Sequence, residues 1–254
     1  FSGAKPIPIP LREQNGFAFS AEEVLSKINE RTRLIILNSP ANPTGGVVPR
    51  GEFDALIEGL CKWPDVAIMS DEIYGQMLYD NREHVSLIRY PEISDRLILL
   101  DGWSKTYAMT GWRLGYSVWP EKVAPHAEKL CVNIHSCVNS SAQFAGIAAL
   151  TGDQSPVKAM VSAFDERRTV IVNELNKIPG FSCIQPGGAF YAFPNITQTG
   201  FRSDELQKKI LENAGVAVIS GTSFGEHGEG YLRFSYANST ENILKAVDLI
   251  KGCL

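Results

Sequence analysis

The chain has 254 residues, of which 44% are hydrophobic and 20% charged, close to the proportions of an average globular protein, so disorder and fibrous repeats are excluded. Its formal net charge of -4 comes from 24 basic and 28 acidic residues spread without a block of either sign, and we expect neither nucleic acid nor a membrane as a partner. No apolar run approaches the roughly 18 residues of a membrane-spanning helix.

Up to about residue 120, apolar runs of strand length alternate with stretches that favour helix. A helix is predicted from Ser20 to about Glu30, because Ser20 and Glu23 have the spacing of a capping box. A second helix is predicted from Pro49, at the first helical position, through Cys61. Four runs predict strands: Leu34–Leu37, Val66–Met69, Leu97–Leu100 and Leu114–Trp119. Strands separated by helices indicate a mostly parallel sheet that is covered on both faces.

After Pro120 the pattern changes to helices and short strands, which is typical of a smaller α+β domain. Helices are predicted over about 121–134, 140–150 and 156–177, from Ser203, and over about 239–251. Short strands are predicted at 181–184, 189–193, 216–219 and 231–235. Arg167 and Arg168 are expected on the polar side of the helix over 156–177. We place the domain boundary near 152–156.

Polar side chains follow three of the predicted strands. Asn42 lies in an Asn-Pro-Thr-Gly segment after the first strand, Asp71 and Tyr74 follow the second, and Lys105 follows the third. Taken alone, these residues are most simply a turn, a cap, a packed ring and a surface lysine. Ligands of open α/β sheets bind beyond the carboxyl ends of the strands, and the common location of these residues therefore predicts a site.

Four segments together resemble the class I and II aminotransferases of the pyridoxal-phosphate (PLP) fold type I superfamily. They are Asn42–Gly45, Asp71–Tyr74, Ser104–Gly115 and Leu232–Tyr236. The resemblance runs from about residue 1 to the C-terminus. It implies an α/β fold in which residues 1–154 are the remainder of a large PLP-binding domain and residues 155–254 form a small C-terminal domain. The sheet of the large domain is expected to be mostly parallel and incomplete, with one antiparallel strand.

The resemblance implies PLP as the cofactor, with Lys105, Asp71 and Tyr74 as catalytic residues. Lys105 would hold the cofactor as a Schiff base and move a proton between the substrate α-carbon and C4′ of PLP. The Asp71 carboxylate would keep the pyridine nitrogen protonated. Tyr74 and Asn42 would donate hydrogen bonds to the phenolic oxygen of the cofactor.

The resemblance also implies two anion-binding roles. Arg113 and Ser104 would bind the cofactor phosphate, and Arg233, together with Asn42, would bind the substrate α-carboxylate. Arg113 precedes its strand whereas Lys105 follows its own, so the strand over 114–119 must run antiparallel to the others if both residues are to reach one cofactor.

The chain departs from the family pattern in two ways. Gly102 stands where many members carry a serine that contacts the phosphate. The family's phosphate loop, the aromatic ring stacked on the cofactor and an N-terminal substrate-contacting stretch would lie before Phe1. We therefore expect this chain to be the C-terminal portion of a longer enzyme, which would be a homodimer, and do not expect full activity from the chain alone.

The expected reaction is amino-group transfer between an amino acid and a 2-oxo acid, but other activities remain open. A PLP-dependent β C–S lyase, or an aminocyclopropane-carboxylate synthase-like enzyme, uses the same lysine, aspartate and arginine. The PLP-binding effector domain of a transcription regulator shares the fold. The sequence does not indicate which amino-acid side chain the enzyme prefers, although the segment over 187–191 resembles one that lines the substrate pocket in relatives.

The spacing of the cysteines and histidines indicates the redox compartment of the protein and whether it binds a metal. The five cysteines are odd in number and widely spaced, which matches no disulfide framework, and we expect a reducing, cytoplasmic setting. The four histidines show no ligand spacing, so no metal is expected.

Overall fold

The structure is a computed structural model that describes residues 3–254. Within this range the helices are α1 (Ala21–Lys27), α2 (Arg50–Leu60), α3 (Trp103–Thr106), α4 (Ala124–His135), α5 (Ser140–Thr151), α6 (Ser155–Leu175), α7 (Ser203–Ala214) and α8 (Thr240–Cys253). The strands are β1 (Leu34–Asn38), β2 (Ala67–Asp71), β3 (Leu97–Gly102), β4 (Gly115–Val118), β5 (Tyr191–Ala192), β6 (Ile219–Ser220) and β7 (Leu232–Ser235). In the part of the chain described, no helix combines the length and apolar character needed to span a bilayer.

The chain divides into two compact units. The sheet unit comprises residues 20–40 and 48–161, and the C-terminal unit comprises residues 3–19, 41–47 and 162–254. The boundary predicted between residues 154 and 155 falls seven residues before the C-terminal unit resumes at Ser162, and it stays a prediction about domains.

The sheet unit contains a four-stranded sheet in the order β1-β2-β3-β4. β1, β2 and β3 are parallel, as expected for strands joined through helices. β4 pairs with β3 in the antiparallel direction, with Gly102 opposite Gly115, which confirms the predicted direction of this strand. Ser20 caps α1 by accepting a hydrogen bond from the Glu23 N–H at 3.3 Å, as predicted.

The hydrophobic face of α2 contributes to the core of the sheet unit. Phe53, Leu56, Ile57 and Leu60 are buried at the i, i+3, i+4, i+7 spacing of one helix face. Complete burial of side chains of this size stabilises a fold by roughly 1.5–3 kcal/mol each. The first residue of α2 is Arg50, one position later than predicted, and Pro49 directly precedes the helix.

The C-terminal unit contains a three-stranded antiparallel sheet in the order β5-β7-β6. β5 and β6 have two residues each, so they are shorter than the predicted strands over 189–193 and 216–219. The predicted strand over 181–184 is wrong, because only a single bridge joins Ser182 to Asn195. One bridge of this kind satisfies the local backbone without forming a ladder.

Arg168 is the main correction within the helices. It was expected on the polar side of its helix, but it lies on the buried side of α6 with Phe164, Ile171 and Leu175. These residues have the spacing of one helix face, and Arg168 was misassigned because its charge outweighed its position in that pattern.

Candidate active site

Asp71 is the last residue of β2, at the end where β1 and β2 finish side by side. Its backbone carbonyl accepts a hydrogen bond from Asn38 Nδ2 at 3.0 Å, and its Oδ1 accepts one from the Ile73 N–H at 3.2 Å. Burial raises the pKa of the Asp71 carboxyl; the Ile73 N–H opposes this rise and the neighbouring Glu72 charge adds to it. Within residues 3–254 Ile73 is the only hydrogen-bond donor to this carboxylate, which retains capacity to accept from a ligand.

Glu72 points to different partners and was not singled out from the sequence. Its carboxylate lies 2.7 Å from His84 Nε2 and accepts hydrogen bonds from Ser70 Oγ and the Leu87 N–H, both at 2.9 Å. Burial disfavours the charged form, yet these hydrogen bonds and one from Ser86 hold the pKa of Glu72 below its usual range. The contacts of Glu72 with His84 and Leu87 therefore join the segment after β2 to the segment over 84–87.

Lys105 lies in α3, the short helix that follows β3 directly. Its Nζ is 5.8 Å from the centre of the Tyr74 ring, and Tyr74 is buried. Trp103 holds this helix against α5 by donating from Nε1 to the Gly146 carbonyl at 3.0 Å. A Cβ at position 146 would lie 2.5 Å from Leu114 Cδ2 and 3.3 Å from Trp103 Nε1, so a side chain there would require Leu114 to shift. Lys105 is thus carried by an anchored segment.

Arg113 and Ser104 lie close to Lys105 along the β3–β4 connection. Arg113 adopts the left-handed conformation with φ 55°, which is uncommon for a residue with a side chain and typical of functional loops. Its Nη1 donates to the Thr110 carbonyl at 3.0 Å. Because Gly102 pairs with Gly115, the residues that follow β3 and precede β4 share one edge of the sheet.

Gly102 has a steric explanation. A Cβ at this position would lie 2.9 Å from the Gly115 Cα and 3.0 Å from the Leu114 carbonyl oxygen. The backbone of β4 therefore leaves no room for the serine that many members of the resembled family carry here.

Asp101 is a second half-buried carboxylate near this edge. Its Oδ1 accepts from the Gly102 N–H at 2.6 Å and its Oδ2 from the Tyr116 hydroxyl at 3.2 Å. Burial raises the pKa of Asp101 despite both hydrogen bonds, and burial with the Asp101 charge raises the pKa of Tyr116 to about 12. Both of its oxygens are already engaged, in contrast to Asp71.

Asn42 and Arg233 belong to the C-terminal unit, where they form a direct hydrogen bond. Arg233 Nη1 donates to Asn42 Oδ1 at 2.9 Å. The Arg233 guanidinium also lies over two rings, 4.7 Å from the centre of Tyr191 and 5.0 Å from that of Phe224. No carboxylate forms an ion pair with Arg233 among the residues that the structure describes. The position of the guanidinium is therefore fixed by an amide oxygen and two aromatic rings.

The Asn-Pro-Thr-Gly loop that carries Asn42 is locked to the segment over 186–191. The Gly45 carbonyl accepts hydrogen bonds from the Gly187 and Gly188 N–H groups at 2.9 and 3.0 Å. Gly45 has φ +68°, and a Cβ there would lie 2.4 Å from Pro186 Cβ. Sequence reasoning singled out both segments but not their contact.

The predicted site residues thus fall into two groups. Asp71, Tyr74, Ser104, Lys105 and Arg113 lie in the sheet unit, and Asn42 and Arg233 lie in the C-terminal unit. Comparison with known proteins identifies the family of the chain. A family model described as aminotransferase class I and II matches residues 1–250. The chain belongs to this family.

Individual aminotransferases support the assignment. The chain is 41% identical over 253 residues to an aspartate aminotransferase of Pyrococcus horikoshii, a match that covers 99% of this chain and 64% of that protein. It is 36% identical over 254 residues to an arginine–pyruvate transaminase of Pseudomonas aeruginosa, covering 99% of this chain and 63% of that protein. The chain therefore spans less than two thirds of the length of these relatives.

The fold matches that of solved aminotransferases. The crystal structure of an aromatic aminotransferase from Pyrococcus horikoshii superposes with a TM-score of 0.94 at 34% identity, over 98% of this chain and 67% of that chain. This likeness confirms the predicted fold class, a PLP-dependent transferase fold with a mostly parallel sheet and one antiparallel strand.

Class I and II aminotransferases depend on PLP, and the sheet unit contains side chains with the chemistry to hold this cofactor. Asp71 retains a carboxylate oxygen able to accept a hydrogen bond from a ring N–H. Lys105 provides a primary amine and Arg113 a guanidinium suited to a phosphate. The donor set present in this unit fits the chemical groups of PLP.

Proposed function

We propose that this chain carries residues for PLP-dependent transfer of an amino group between an amino acid and a 2-oxo acid. The observation that carries the proposal is the common edge of the sheet. Asp71 ends a parallel strand there, and Lys105 and Arg113 flank the antiparallel pair of Gly102 and Gly115. An amine, a carboxylate with spare capacity to accept hydrogen bonds and a guanidinium lie at one edge. They match the aldehyde, the ring nitrogen and the phosphate of PLP.

Lys105 supplies the nucleophile and the base. When bound, PLP supplies a carbonyl that condenses with amines and a ring that draws electrons from the substrate α-carbon. The Lys105 amine would hold the cofactor covalently through Nζ and, as a free amine, would accept a proton from the substrate α-carbon. The same Nζ would be the group that carries that proton to C4′.

Asp71 and Tyr74 act on the electronics of the bound ring. The Asp71 carboxylate would accept a hydrogen bond from the pyridine N–H and stabilise the protonated form of that nitrogen. A positive N–H facing Asp71 favours ionisation of the carboxyl, opposing the burial that raises its pKa. The Tyr74 hydroxyl would donate a hydrogen bond to the phenolic oxygen, a role that the family resemblance also gives to Asn42 Nδ2.

Anion binding completes the assignment. Arg113 and the Ser104 hydroxyl bind the phosphate, and Arg233 binds the substrate α-carboxylate in the two-pronged manner of a guanidinium. Contact with the Tyr191 and Phe224 rings restricts the Arg233 side chain, so less conformational entropy would be lost on binding.

The identities of donor and acceptor are not inherited from the family. The relatives compared above are named for aspartate, for arginine with pyruvate and for aromatic amino acids. A homodimer and a cytoplasmic setting also stay predictions.

The proposal is tested by titrating the purified chain with PLP, then adding amino acids one at a time. We expect a change in cofactor absorbance that is lost in Lys105→Arg, which keeps the charge but cannot condense, and is kept in the matched variant Lys62→Arg at an exposed site. With a suitable donor, its 2-oxo acid should appear without free ammonia. Equal absorbance changes in wild type and Lys105→Arg would contradict the proposal, and release of ammonia with pyruvate would favour a lyase.

A further inference from the structure

Arg168, a buried residue outside the proposed contacts with substrate, is connected to the Asn42–Arg233 pair through a short chain of hydrogen bonds. We propose that Arg168 is a positioning residue for this carboxylate-binding pair. The inference rests on the function proposed above, and every residue it uses lies in the C-terminal unit.

The Arg168 side chain is held at both ends of its guanidinium. It is only 3% exposed, and its Nε and Nη2 lie 2.8 and 2.6 Å from Asp165 Oδ1 on the same helix. Its Nη1 points away from that carboxylate and donates to the Pro186 carbonyl at 2.8 Å. Burying an arginine carries a desolvation penalty, which the ion pair with Asp165 and the hydrogen bond to the Pro186 carbonyl offset.

The carbonyl held by Arg168 begins the segment that binds the Asn-Pro-Thr-Gly loop. The N–H groups of Gly187 and Gly188, directly after Pro186, both donate to the Gly45 carbonyl. A second clamp acts at the other end of the segment, where the Tyr236 hydroxyl donates to the Ala189 carbonyl at 3.2 Å. Ala189 has φ 57°, a conformation that persists in a residue with a side chain only when its surroundings enforce it.

The loop closes on itself and presents Asn42. The Gly45 N–H donates to the Ala41 carbonyl and the Ala41 N–H to the Gly46 carbonyl, both at 2.9 Å. Asn42 is thereby fixed between two hydrogen-bonded ends, with its Oδ1 against Arg233. Tyr191, whose ring lies under the Arg233 guanidinium, follows the same segment over 186–190. Two of the three contacts of Arg233, those with Asn42 and with the Tyr191 ring, therefore depend on the segment that Arg168 holds.

The neighbouring arginine offers a matched comparison. Arg167 is partly exposed, and its guanidinium lies 5.8 Å from the Phe164 ring. It has the same side chain one position away on α6, without the hydrogen bond to Pro186. Val172, buried on the same helix, provides a variant that lowers stability without removing a polar contact.

The test measures carboxylate affinity and local protection in the purified chain. The variants are Arg168→Met, Arg168→Lys, Arg167→Met, Val172→Ala and Arg233→Met. Affinity is measured by calorimetry with succinate and with hydrocinnamate, and amide hydrogen exchange is followed by NMR.

Arg168→Met is expected to raise the carboxylate dissociation constant about tenfold, as loss of a charged hydrogen bond that orients the site would do. Exchange at Gly187 and Gly188 should accelerate more than exchange in β7. Arg168→Lys should restore part of both effects by donating one hydrogen bond, while Arg167→Met and Val172→Ala should leave the affinity unchanged.

The inference is overturned if Arg168→Met binds both carboxylates as wild type does, or if Val172→Ala weakens binding equally at equal loss of stability. The proposed function fails separately. In that case Arg233→Met leaves carboxylate binding intact, whereas the exchange rates of Gly187 and Gly188 still report whether Arg168 holds the segment.

Discussion

Two half-buried carboxylates near one edge of the sheet, Asp71 and Asp101, differ in their hydrogen-bond partners. Burial raises the pKa of both Asp71 and Asp101. Asp101 accepts hydrogen bonds at both oxygens, from Gly102 and Tyr116, whereas among the described residues only Ile73 donates to Asp71. The residual acceptor capacity at Asp71 is the feature that suits it to a cationic ring N–H.

The raised pKa of Asp71 leads to a prediction about pH. Ionised Asp71 is needed to hold a protonated ring nitrogen, so PLP affinity of the wild-type chain should rise as pH increases from 3.8, the usual value, through the raised pKa. Without ligand the sign reverses, because the folded chain holds this proton more tightly than the unfolded chain and loses stability over the same window.

Asp71→Asn should remove this step from a series of PLP titrations across acidic pH, and the matched variant Asp101→Asn should retain it. A step that survives in Asp71→Asn, or disappears in Asp101→Asn, would assign the titration to another group.

The sequence locates some site residues but not the contacts between distant residues. Asp71, Lys105 and Arg113 could be located because each follows or precedes an apolar run that is visible in the sequence. The Glu72–His84 contact joins residues 12 positions apart, and the Asn42–Arg233 hydrogen bond joins residues 191 positions apart. Pairings of this kind depend on tertiary packing that no local pattern encodes.

At the scale of elements, the Asn-Pro-Thr-Gly loop interlocks with the turn over 186–188. Gly45 adopts φ +68°, and its Cα faces Pro186, the Gly188 carbonyl and the Tyr191 carbonyl. The conformation and the close approach each require glycine, so the loop that carries Asn42 has no alternative residue at this position.

Gly45→Ala should therefore lower the free energy of unfolding by about 2 to 4 kcal/mol, the combined cost of overpacking and a strained φ. Gly51→Ala is the matched control, because Gly51 lies in α2 with open space around its Cα and alanine should raise stability by up to about 1 kcal/mol. Urea denaturation measures both changes. Equal midpoints for the two variants would show that the loop is not packed as described.

The elements differ in how far the sequence predicts them. The strands of the sheet unit coincide with long apolar runs, and the antiparallel direction of β4 could be predicted from the need to bring Arg113 near Lys105. β5 and β6 have only two residues, too few for a periodic signal to define their ends. The segment over 181–184 has strand-like residues but lacks a neighbouring strand to pair with beyond one bridge.

At the scale of the whole molecule, chain order does not coincide with compact units. Residues 3–19 and 41–47 belong with residues 162–254, although the intervening residues 20–40 lie in the sheet unit. A boundary predicted from a change of pattern along the chain cannot show that an N-terminal segment belongs to the C-terminal unit. The hydrogen bond from Arg168 to the Pro186 carbonyl could not be predicted for a related reason, since Pro186 lies in a segment whose position depends on the complete C-terminal unit.

The central claim is that the Lys105 amine holds the cofactor, and covalent mapping tests it most directly. The purified chain is incubated with PLP, reduced with borohydride to fix any amine–carbonyl adduct, digested and examined by peptide mass spectrometry. The account predicts near-stoichiometric modification of the peptide that contains Lys105, and loss of that modification in Lys105→Ala with only scattered labelling of surface lysines. Modification spread evenly over exposed lysines, with Lys105 unlabelled, would contradict it.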